Sequence, residues 1–179
     1  MKKFILLLSV IAFVSCTNNE KQERIDEINA LEKELLSDQN MQLNVEKANE
    51  LAELFVSFVD EYPEDSLSET YLFKAADLNL NTGAYKKSIT LYQRLREEYS
   101  KSENAEISLF MQAYIYDYYL QDYQNAKQKY EAFMKLYPES EFYEEAEISI
   151  EQLGKSPEEL IKEFEANNDS IVVENDNVN

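Results

Sequence analysis

The stretch NTGAYKKSITLYQRLREEYS, residues 81–100, returns as YLQDYQNAKQKYEAFMKLYP, residues 119–138, at an offset of 38. Tyr85 falls on Tyr123, Ser88 on Ala126, Tyr92 on Tyr130, Leu95 on Phe133 and Tyr99 on Tyr137; upstream, Ala75 falls on Ala113. A third copy ends at Tyr62-Pro63, 37 residues before Tyr99, with Leu51, Phe55 and Phe58 in place of Ser88, Tyr92 and Leu95. A repeat this short is one supersecondary unit, which cannot bury its apolar face alone and must stack on a neighbour.

Within each copy the large residues step by three or four, as on one face of an α-helix. A second helix precedes each, over roughly Leu67–Asn81 and Ala105–Leu120, joined by tight turns at Asn81-Thr82-Gly83 and Gln121-Asp122. Pro63 and Pro138 close the second helices. Two glycines and three prolines in 179 residues are too few for a sheet-rich fold. At the amino end Ile25, Ile28, Leu31 and Leu35 allow either a first helix packed on Val45–Glu61 or a short self-associating coiled coil. Phe142–Leu153 and Pro157–Phe164 read as a last, polar-faced pair with Ser156 as a cap. Residues 166–179, rich in Asn and Asp, read as a disordered acidic tail.

The motif G-x-Y-x-x-A, here Gly83-Ala84-Tyr85-Lys86-Lys87-Ser88 and then Gln121-Asp122-Tyr123-Gln124-Asn125-Ala126, resembles the tetratricopeptide repeat. The resemblance implies an all-α, tetratricopeptide-like right-handed solenoid of three to four antiparallel helix pairs over residues 23–165. The period is 37–38 residues against about 34 in that family, and Ser100 stands where Pro138 stands in the next copy. The family's inner face, carried across, falls on Thr70, Phe73, Asp77, Leu80 and Asn81, then on Ser108, Met111, Ile115, Tyr118 and Tyr119. Of these, Phe73, Leu80, Met111, Ile115, Tyr118 and Tyr119 are the candidate protein-binding groove. Tyrosine combines contact area with a polar tip, which suits protein recognition. The same rings could instead pack between units.

Ahead of the repeats, Lys2 and Lys3 precede an apolar run, Phe4 to Val14, which has the layout of an export signal. Eleven residues fall short of the roughly 20 a helix needs to cross a bilayer. Phe13-Val14-Ser15-Cys16 resembles a bacterial lipobox, which implies a signal peptide over 1–15, lipidation at Cys16 and a short tether over 16–22. Units joined by turns such as Tyr62-Pro63-Glu64-Asp65 resemble the bacterial envelope tetratricopeptide group, which holds the β-barrel assembly lipoprotein and the Tol–Pal coordinator. That resemblance implies a scaffold lipid-anchored at the periplasmic face of the outer membrane, concerned with outer-membrane protein assembly. The alternative is a self-associating, coordinating protein acting through residues 22–37.

The formal charge is −19, with 36 Asp+Glu against 17 Lys+Arg. Such acidity opposes nucleic acid, whose phosphates are bound by Lys and Arg. It favours an envelope protein or extended peptide segment with a basic surface, and leaves the membrane to the lipid anchor. No enzyme is expected: the chain has no histidine and one cysteine, which removes the common nucleophile pairs and zinc sets. Neighbouring carboxylates such as Glu97-Glu98, Glu144-Glu145 and Glu158-Glu159 point about 100° apart on a helix and do not converge. No metal or other cofactor is expected.

Overall fold

The computed structural model describes residues 2–37 and 43–176, with side chains described over 19–37 and 43–166. The described elements are helical: α1 (Lys2–Ser37), α2 (Val45–Glu61), α3 (Ser68–Asn81), α4 (Tyr85–Glu98) and α5 (Glu103–Tyr114), which continues into a π-helical turn, Ile115–Tyr119. There follow α6 (Tyr123–Leu136), α7 (Tyr143–Gln152) and α8 (Pro157–Asp176). The fold is all-α and tetratricopeptide-like, as the repeat predicts. The chain divides into two compact units, 1–105 and 106–179.

In the first unit α1 packs on α2, α2 on α3 and α3 on α4. Ile28 of α1 is fully buried and Ile25, Leu31 and Leu35 are half-buried. The apolar stripe of α1 therefore contributes to packing within the chain, as the packed-helix reading expects. Lys21 Nζ lies 2.8 Å from Asp65, Arg24 3.4 Å from Glu61 and Lys74 Nζ 2.7 Å from Glu32. Phe55, Phe58 and Tyr71 meet with centroids 4.8–5.0 Å apart.

The second unit is centred on Leu109, Phe110, Ala113, Ala126, Tyr130, Phe133 and Ala146. Tyr116, Met111, Phe142 and Leu153 pack around them. Ser156 and Glu159 form a reciprocal capping box at the start of α8: the Glu159 N–H donates to Ser156 Oγ and Glu159 Oε2 accepts from the Ser156 N–H. The last pair is not polar-faced throughout, since Ile148, Ile161 and Phe164 are 44, 57 and 68 % exposed.

The turns between copies repeat closely. Tyr62, Tyr99 and Tyr137 each donate their N–H to the carbonyl four residues back, on Phe58, Leu95 and Phe133. Three residues on, Asp65, Ser102 and Ser140 donate N–H to those tyrosines' carbonyls. Their side chains in turn accept from the N–H groups of Leu67, Ala105 and Phe142. Ser100 therefore takes the place of proline without altering the turn, because the bonds come from the tyrosine and the Asp or Ser that flank it.

The expected export signal 1–15 and tether 16–22 fall on α1, and Cys16 lies outside the residues whose side chains are described. α8 runs to Asp176, further than the Phe164 ending read from the sequence. The remainder of the 166–179 tail lies outside the described residues.

Candidate functional site

Between the first helices of the two copies the spacing is 37, not 38. Ser68, Tyr71, Leu72 and Ala76 are buried in α3, and 37 residues later Ala105, Ser108, Leu109 and Ala113 are buried in α5. The ring pairs agree. Phe73 meets Tyr92 edge-on at 5.7 Å and 63°, and Phe110 meets Tyr130 at 5.6 Å and 63°. Phe73 to Phe110 is 37 positions; Tyr92 to Tyr130 is 38. One residue is therefore inserted between the two helices of the second copy.

The π-helical turn absorbs it, since a π-bulge is an α-helix carrying one extra residue. At the end of α3 the Thr82 N–H reaches four residues back, to Leu78; at the matching place the Leu120 N–H reaches five back, to Ile115, at 3.0 Å. The exits differ as well. Gly83 turns the chain with φ 81°, and its counterpart Gln121 does so at φ 51°, a left-handed conformation that costs a side-chain-bearing residue energy.

The extra residue corrects the inner-face assignment. Carrying α3 positions across at 38 places Ser108 and Ile115 on the open face, yet both are fully buried. At 37 the counterparts of Thr70, Phe73 and Asp77 are Ile107, Phe110 and Tyr114. Leu80, 8 % exposed, also belongs to the packing, and Met111 is half-buried against the second core. Phe73 is half-buried under Tyr92, whose hydroxyl donates to Asp77; Thr70 and Asn81 are exposed. Burial raises the Asp77 carboxyl, partly offset by that hydrogen bond, and burial raises Tyr92 as well.

Two candidates remain open to solvent. Tyr118 is 63 % and Tyr119 43 % exposed. They are not isolated, because the Tyr114 ring lies 4.6 Å from Tyr118 at 31° and 5.8 Å from Tyr119 at 75°. Tyr114 is half-buried, so it anchors the other two to the second unit. Its hydroxyl is pushed up by burial first, then by Tyr119, Tyr118 and Glu145. The result is a three-ring platform with a half-buried base and acidic neighbours, Asp117 and Glu145. Rings held this way lose little freedom when a partner covers them. Tyr114 was missed because the 38-residue alignment skips the insertion, and with it the pairing of Tyr114 with Asp77.

Residues 70–102 and 108–140 match the tetratricopeptide repeat. The matched repeats contain Phe73, Leu80 and the whole tyrosine platform. Tetratricopeptide repeats are generally protein-interaction scaffolds, typically non-catalytic. No curated protein matches the chain. Among the described residues no group of His, Cys, Asp or Glu converges as a metal site, and no helix is long and apolar enough to cross a membrane.

Proposed function

We propose that this chain is an envelope scaffold of bacteria, tethered to the outer membrane through lipidated Cys16 and docking a protein segment on Tyr114, Tyr118 and Tyr119. The observation that carries the docking surface is the exposure of two tyrosines, each in contact with the Tyr114 ring, on a π-turn inside a tetratricopeptide repeat. Cores bury such rings; here a register insertion holds them out. Charge favours a basic partner, because residues 106–179 contain 17 Asp+Glu against five Lys+Arg. Support for the anchor and the compartment comes from the sequence: Lys2-Lys3, the apolar run to Val14, and Cys16 before a polar stretch. A role on the periplasmic side in outer-membrane protein assembly follows from the resemblance to the envelope tetratricopeptide group.

Two measurements test the reading. A photo-crosslinking residue at Tyr118, irradiated in intact cells, is expected to give one dominant protein adduct that is lost with Tyr119→Ala. Adducts only to the chain's own helices would remove the docking surface. Metabolic labelling with palmitate is expected to mark the parent and not Cys16→Ser; equal labelling of both would remove the anchor.

A further inference from the structure

A cavity of about 250 Å3 opens beside Tyr118, walled by Asp117 and Gln121, by Tyr123 of α6, and by Gly154 and Lys155 between α7 and α8. It is smaller than the roughly 300–1,000 Å3 of pockets that enclose small-molecule ligands, so a single side chain is the occupant that suits it. Gly154 belongs to the wall by necessity: at φ 73°, a Cβ there would stand 3.3 Å from the Tyr123 ring.

The chemistry of the walls selects the side chain. The half-buried Asp117 carboxylate has no hydrogen bond or ion pair among the described residues, and burial raises its pKa. The one cation in the wall, Lys155, is already answered by Glu163 at 2.7 Å. Gln121 and Gln152 also line the cavity, and their side chains carry neutral acceptor oxygens. Two tyrosine rings supply faces for a flat cation. A guanidinium, with five donors in a plane, uses such a set more fully than an ammonium.

We propose that this cavity seats one arginine side chain of the protein segment that crosses the tyrosine platform; the inference rests on the docking surface proposed above. The backbone of the segment lies over Tyr118 and Tyr119, and the guanidinium enters beside Tyr118 to meet Asp117. An anionic group would meet Asp117 and the acidic surface of this unit, and is excluded on charge.

The test uses amide NMR spectra of the full chain titrated with Nα-acetyl-arginine amide and with its neutral isostere, Nα-acetyl-citrulline amide. Shifts centred on Asp117, Tyr118, Gln121 and Gly154, about tenfold weaker for citrulline, are expected. Asp117→Asn should erase that preference while leaving the circular dichroism spectrum unchanged. Equal response to both compounds, shifts spread over the acidic surface, or an undiminished arginine response in Asp117→Asn would overturn the seat. Crosslinking from Tyr118 separates the two claims. Capture that persists at full yield in Asp117→Asn removes the arginine seat and leaves the platform standing. Absence of capture in the parent removes the platform, and the seat with it.

Discussion

At the end of α3, Leu80 is buried, Thr82 closes an ordinary α-helical bond to Leu78, and Gly83 makes the turn. At the same place in the second copy, Tyr118 and Tyr119 are exposed, Leu120 bonds five residues back, and Gln121 turns the chain against its own preference. The second helices of the two copies keep one register at 38, with Tyr85, Ser88, Tyr92 and Leu95 falling on Tyr123, Ala126, Tyr130 and Phe133. One inserted residue, confined to a single turn, therefore separates a copy that buries its helix end from one that displays it. Local departures of this kind, a π-bulge followed by a left-handed residue, are found where a fold accepts strain for a surface.

Breaking the cores of the two copies should give the largest and most unequal effects. Phe110 is 7 % exposed and touches Tyr130, Phe133 and Phe142. Phe110→Ala should cost about 3–5 kcal/mol in urea unfolding. Its counterpart Phe73 is only partly exposed, and Phe73→Ala should cost somewhat less, in proportion to the smaller area it buries. A larger cost for Phe73→Ala than for Phe110→Ala would contradict the deeper burial of Phe110.

The platform should separate binding from stability. Tyr118→Ala should weaken capture of the partner by about 2 kcal/mol or more, roughly 30-fold. Its melting should stay within about 0.5 kcal/mol of the parent, since the ring is largely exposed. A large fall in stability would instead make Tyr118 a packing residue.

The turn residues should respond with opposite signs. Gln121→Gly relieves a left-handed strain and should stabilise by about 1 kcal/mol, whereas Gly83→Ala imposes it and should destabilise by about 1 kcal/mol. A Cβ at Gly83 meets nothing within 4 Å, so that loss would report backbone conformation alone.

The smallest effect belongs to the linking turns, where Asp65 stands in place of Ser102 and Ser140. The hydrogen bond from Lys21 and the Leu67 N–H hold the Asp65 carboxyl below its ordinary value. A lowered carboxyl stabilises the fold above its unfolded value, and that contribution is lost as pH falls through the folded one. Asp65→Asn should therefore cost under about 1 kcal/mol at neutral pH. Parent and variant should converge below about pH 3.9 as the folded carboxyl protonates.

The helix positions, the pairing and the Tyr-centred linking turns were legible in the sequence because they repeat. Period and spacing carry that information directly. The site was half legible. Tyr118 and Tyr119 lie open to solvent as expected, yet Ser108 and Ile115, expected on the same face, are buried, because one alignment offset was carried through a helix that changes register. Nothing in MQAYIYDYYLQDY marks a π-turn by composition. The available signal was the disagreement between 37 and 38 in the tyrosine spacing, whose location within the copy only the hydrogen bonds reveal. Asp117 gave no signal, since its isolation arises from the cavity around it.

The measurement closest to the central claim compares the two helix ends directly. Asn81 and Tyr119 are matched across the copies and both exposed. A photo-crosslinking residue placed at each in turn, in the full-length protein in intact cells, should capture the partner from position 119 and not from position 81. Equal capture from both, or capture from 81 alone, would contradict the claim that the inserted residue creates the working surface.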